Sequence, residues 1–127
     1  MNLHITEFSK IIDHIEEEIY AFLAEPISEE PEVIIERGNI MHSYMAILSK
    51  YYADSKYYAN QAMLDAIKKC KEEKVPQGLH ARFCDASIAN EQQLVDLIKG
   101  LLEKCYKEND WNRTLVSKAK VEYSANK

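Results

Sequence analysis

Glycine and proline are scarce, at three of each in 127 residues. A β-sandwich or a doubly wound sheet needs turn punctuation at short intervals, so the shortage excludes both and leaves long, uninterrupted helices. Cysteine is equally rare. Cys70, Cys84 and Cys105 are odd in number and form no Cys-x-x-Cys pair. That spacing opposes a disulfide framework or a zinc site and favours reduced thiols. No apolar run approaches the roughly 20 residues needed to cross a bilayer. Met1-Asn2-Leu3-His4 has no basic region leading into an apolar stretch, so no signal peptide is expected. Asn112-Arg113-Thr114 matches the glycosylation pattern, but nothing else suggests secretion, and the expected compartment is the cytoplasm.

Catalytic patterns are missing too. The chain has no Gly-x-Ser-x-Gly turn, no phosphate-binding glycine loop, no dinucleotide fingerprint and no His-Glu-x-x-His. His4, His14, His42 and His80 are scattered. His14 and Glu18 share a helical face at i, i+4, but a closed metal site needs three or four converging ligands. Cys105 falls on an apolar stripe and reads as core. The expectation is a protein without enzymatic activity, cofactor or metal. The net charge of -5 opposes a general nucleic-acid binder, which needs a basic field, but leaves room for a local basic patch.

What is present is helical pattern. Hydrophobic residues make up 46% and charged residues 29%, a globular balance that suits one domain over residues 1–127. Phe8, Ile11, Ile12, Ile15, Ile19, Phe22 and Leu23 recur at three- and four-residue spacing, predicting an amphipathic helix over 6–23. A linker follows over 25–31, set by Pro26 and Pro31. A long helix is predicted over 31–74, with Val33, Ile40, Tyr44, Ile47, Leu48, Tyr51, Tyr58 and Ala62 as its buried face; unbroken, it would reach roughly 60 Å. Residues 75–86 make the turn, within which Leu79, Phe83 and Ala86 suit a short helix. A last helix runs over 87–123, capped by Asp85 or Ser87. Its stripe is Ile88, Leu94, Val95, Ile98, Leu101, Leu102, Cys105, Leu115, Val116 and Ala119. The fold class is therefore all-α: a long antiparallel hairpin with an N-terminal amphipathic helix, a three-helix bundle. Its unequal helices leave apolar flank exposed, which predicts self-association as a homodimer.

Lys50-Tyr51-Tyr52-Ala53-Asp54-Ser55-Lys56-Tyr57-Tyr58 holds four of the eight tyrosines. One reading is bundle packing with hydroxyls at the rim. The other is a stacking platform for single-stranded DNA, with lysines on phosphates. A turn near residue 81 places Trp111 and Arg113 opposite Tyr51, with Lys118 and Lys120 extending the zone. The nucleic-acid candidates are accordingly Lys50, Tyr51, Tyr52, Lys56, Tyr57, Trp111, Arg113, Lys118 and Lys120. Asn109-Asp110-Trp111-Asn112-Arg113 interrupts the last stripe with polar groups. That suits either contact with a partner or a hydrogen-bonded layer pairing with Asp54, Ser55 or Asn60. The acidic candidates for a protein contact are Glu16, Glu17, Glu18, Glu29, Glu30 and Glu32.

Glu32-Val33-Ile34-Ile35-Glu36-Arg37-Gly38-Asn39 through Ala53-Asp54-Ser55-Lys56-Tyr57-Tyr58, with Ala89-Asn90-Glu91, Leu94-Val95-Asp96 and Asp110-Trp111-Asn112-Arg113-Thr114-Leu115-Val116-Ser117-Lys118-Ala119-Lys120, is similar to small uncharacterised helical proteins of phages and mobile elements of Bacteroides-type bacteria. The resemblance touches most of residues 32–123 and omits the first helix. It implies a phage or prophage origin and action in a bacterial cytoplasm, and it assigns no catalytic residue. Three functions fit: a DNA-metabolism accessory, an inhibitor of a host defence protein acting through its acidic surface, or a binder of a small nucleotide between protomers.

Overall fold

The computed structural model describes residues 4–125; Met1–Leu3 lie outside the described residues, as do the last two. Four helices follow in order: α1 (Ile5–Leu23), α2 (Pro31–Glu72), α3 (His80–Ser87) and α4 (Ala89–Ala125). No strand occurs among the described residues, so the all-α expectation holds. α2 and α4 pack antiparallel along most of their length. α1 lies against both, with few close backbone approaches, reaching them through long side chains. No helix of the described residues is long and apolar enough to cross a membrane.

Each boundary has a local cause. His4 caps α1, its Nδ1 accepting from the Thr6 amide at 3.2 Å. The α1 stripe then buries Phe8, Ile12, Ile15, Ile19 and Phe22. Ser28 Oγ accepts from the Glu30 amide at 3.1 Å, and Pro31 opens α2 where its missing donor costs nothing. α2 ends in a Schellman-type turn: Lys74 adopts a left-handed φ of 54°, and the Val75 amide donates to the Cys70 carbonyl at 3.0 Å. A single 3-10 turn (Gln77–Leu79) leads into α3, whose His80 ring lies 2.6 Å from the Val75 carbonyl. Ser87 does not cap the last helix as expected. Its hydroxyl donates back to the Phe83 carbonyl at 2.8 Å, and the chain bends at Ile88 before α4.

The buried face of α2 differs from the predicted one. Ile34, Gly38, Met41, Leu48, Ser55, Ala59, Ala66 and Cys70 form the seam. With half-buried Met45, Tyr52 and Ala62 they alternate at four and three residues as far as Ala66, the 3.5 repeat of a coiled coil, with Cys70 a further four on. On α4 the matching row is Ile98, Leu102, Cys105, Asn109 and Asn112. Val33, Ile40 and Ile47, expected inside, are 43%, 38% and 39% exposed. Choosing a face by side-chain size fails here because two closely packed helices select small side chains at their contact. Tyr44, Tyr51 and Tyr58 do turn inward, but toward α1: Phe8 meets Tyr51 edge-on at 5.8 Å and Tyr58 at 5.1 Å, while Phe22 meets Tyr44 at 5.4 Å.

The hairpin register also shifts. Asn112 Nδ2 donates to the Ile34 carbonyl at 3.0 Å and abuts Gly38. Gly38 and Asn112 are equidistant from residue 75, so the hairpin folds at the Lys74 turn rather than near residue 81. The reason is that α3 already belongs to the returning arm: Cys84 sits against Cys70. Trp111 therefore stands near the level of Arg37, not Tyr51. The fourteen residues between those two span roughly 20 Å of helix.

Candidate interaction surfaces

The structure splits the expected Tyr-Lys-Trp platform in two. Tyr51 and Tyr58 are half-buried and hold α1 through Phe8. Tyr52 is half-buried, with the Lys56 ammonium 4.6 Å above its ring. Tyr57 and Lys50 are exposed, Tyr57 stacking edge-on to Tyr58 at 6.1 Å. Trp111 is 51% exposed, but one end of the hairpin away. Arg113 lies 4.0 Å from Asp110, and Lys118 lies 4.0 Å from Glu122; both pairs are exposed and intrahelical, and the carboxylates beside them weaken the local positive field. Lys120 is exposed on the same last turns. The nucleic-acid candidates therefore do not converge on one face, because the register that would have brought them together is not adopted.

The polar interruption of α4 separates by direction. Asn109 and Asn112 point into the seam; Asp110, Trp111 and Arg113 point out. The layer forms at Ile34 and Gly38, not at Asp54, Ser55 or Asn60 as expected. Ser55 instead bonds its own helix, donating to the Tyr52 carbonyl at 2.7 Å. Asn112 is 4% exposed, and its Oδ1 has no hydrogen-bond partner. A buried amide of this kind is closed to a glycosylating enzyme in the folded protein.

The acidic candidates fall into two groups. α1 runs antiparallel to the first half of α2, and the linker reverses the chain between them, so the last turns of α1 and the first turn of α2 share one end. Glu29, Glu30 and Glu32 are exposed at that end, while Glu17 and Glu18 are exposed and Glu16 half-buried farther along α1, roughly 18 Å of helix away. Glu18 is fixed, its Oε1 accepting from the Tyr44 hydroxyl at 3.0 Å. Burial, that hydrogen bond and the fields of Glu18 and Glu25 hold the Tyr44 phenol above its ordinary value. Cations stand at the shared end as well: Lys118 of α4 lines a cleft with Glu29, and Arg37 lies 4.7 Å from the centre of the Phe22 ring and donates to the Phe22 carbonyl at 3.4 Å, completing the end of α1. One signal in the sequence announces this surface: residues 1–36 carry ten carboxylates against Lys10 alone, whereas residues 37–127 carry fifteen cations against eleven carboxylates. Reading each acidic run as ordinary solvated helix surface obscures it.

Among the described residues, no three His, Cys, Asp or Glu side chains stand close enough to hold a metal ion. The clefts are open troughs. One of about 510 Å³ lies between α1 and α4, lined by Thr6, Ser9, Lys10, Asp13, Asn90 and Glu91 among others. His14 and Glu18 are both exposed. Comparison with protein-family models, with curated proteins and with solved structures returns no match.

Proposed function

We propose that the protein acts by binding, without catalysis, and that its acidic end engages a basic protein. The observation that supports this is the segregation of charge along the chain: residues 1–36 carry ten carboxylates against Lys10 alone, and the remainder is mildly basic. A surface of that kind complements a protein site built to hold a nucleic-acid backbone, and it steers encounter at a distance. An inhibitor of a nucleic-acid-binding defence protein, carried by a phage or mobile element and acting in a bacterial cytoplasm, fits this chemistry. The kinship suggested by residues 32–123 belongs to the same proposal.

The test is capture from bacterial lysate by the protein and by its Glu29→Lys, Glu30→Lys, Glu32→Lys variant. A stoichiometric, basic partner that is lost from the variant and released by salt is expected. A partner retained equally by both would sink the reading. In parallel, single-stranded DNA is titrated against the protein by fluorescence anisotropy. Salt-sensitive binding at micromolar protein would move the function to the exposed Lys50, Lys56 and Tyr57 instead. Self-association along the exposed Val33, Ile40 and Ile47 edge of α2 completes the proposal, and a monomeric mass by light scattering would remove it.

A further inference from the structure

Cys70 and Cys84 lie fourteen residues apart in sequence and 3.9 Å apart between sulfurs, both reduced. They form the centre of a small second core with Ala66, packed by Met63, Val75 and Phe83. We propose that this pair is a site of reversible oxidation, closing a disulfide that clamps α3 onto the end of α2. The two sulfurs are already in contact across two separate elements, and closing the bond brings them roughly 2 Å nearer. Cys70 is 2% exposed and Cys84 8%, so Cys84 is the less enclosed of the two. Cys105 is fully enclosed in the main core.

The oxidant is a low-molecular-weight disulfide such as glutathione disulfide. The Cys84 thiolate attacks one of its sulfurs, forming a mixed disulfide and releasing one thiolate. Cys70 then loses its proton and attacks Cys84 Sγ, expelling the second small thiol. Two protein thiols lose two protons and two electrons, and the external disulfide becomes two thiols. Burial, the contact with Cys84 and the charge of Glu73 push the Cys70 thiol above its ordinary value.

The bond closes a loop containing the Lys74 turn and most of α3, and so fixes the point where the hairpin reverses. Incubation of the protein with glutathione disulfide should remove two hydrogens from the intact mass. The thiols titrated after unfolding should fall from three to one. Peptide mapping should join Cys70 to Cys84 within one chain. The Tm should rise by on the order of 10 °C and return on adding dithiothreitol. Cys105→Ala should oxidise like the parent, and Cys84→Ser should lose the rise. Three remaining thiols at every glutathione ratio, a linkage through Cys105 or between chains, or a Tm rise that survives Cys84→Ser would each overturn the proposal.

Discussion

The middle of the molecule and its two ends are built from different side chains. Where α1 covers the hairpin, Phe8, Ile12, Ile15, Ile19 and Phe22 meet Met41, Leu48, Ile98, Leu101 and Leu102. Three helices enclose that volume, and bulky groups fill it. Toward its two ends α1 covers less, and the two arms pack mainly on each other. There the seam turns to Gly38 and Asn112 at one end, and to Ala59, Ala66, Cys70 and Cys84 at the other. At these positions small residues let the backbones approach and exclude water themselves. The middle thus supplies stability by area, while the ends supply register by close fit.

The largest expected effect tests the middle. Ile12 is fully buried between the three helices, so Ile12→Ala should cost about 3 kcal/mol through lost burial and the cavity left behind, read by urea denaturation. A cost under about 1 kcal/mol would mean that α1 contributes little and that the hairpin stands without it.

A smaller effect, with a sign that reverses, tests the Gly38 end. A Cβ built on Gly38 meets Asn112 Nδ2 at 2.8 Å, with no other neighbour within 4 Å. Gly38→Ala gains about 1 kcal/mol of helix propensity. It also displaces a buried amide from the Ile34 carbonyl, at a cost of about 1–3 kcal/mol. The net should be a destabilisation of about 1 kcal/mol. In an Asn112→Ala background the obstruction is gone, and the same substitution should stabilise by about 1 kcal/mol. Equal effects in both backgrounds would show that Asn112 does not set the approach of the helices.

The smallest effect concerns the tie between α1 and α2. Tyr44 has a folded-state pKa raised above 10.0, chiefly by burial and then by its bond to Glu18. The folded state therefore holds this proton more tightly than the unfolded chain. The stabilisation is complete below pH 10 and is lost as pH rises through the folded value. Thermal melts should show a decline above pH 10 that Tyr44→Phe blunts, with little difference between the two proteins at pH 7. An identical alkaline decline in both would assign the loss to other groups, Tyr58 among them, whose phenol is raised by burial and by Asp54.

Much of the fold was legible in the sequence. The stripe from Phe8 to Leu23 and the prolines at 26 and 31 located α1 and the start of α2 to within a residue. Such boundaries depend on short-range chemistry that a one-dimensional pattern carries. The seam of α2 was not legible, because Gly38, Ser55, Ala59 and Ala66 give no hydrophobic signal and Val33, Ile40 and Ile47 give a false one. The platform of Tyr51 with Trp111 failed for a related reason. It needed the hairpin's centre, and a few residues' error in a turn becomes twice that error across the arms. The acidity of the first 36 residues could be read from charge, but where those carboxylates stand depends on α1 folding back along α2.

The sequence by itself determined that the chain is helical, where the helices begin, and that it carries no recognised catalytic pattern. Those properties follow from periodicity, turn chemistry and residue inventory, which are local. Only the tertiary structure decided which face of α2 is buried, which residues stand opposite one another, and that Cys70 meets Cys84. Those depend on how closely two backbones approach. That distance is set jointly by small residues on both arms and by the presence or absence of α1 above them.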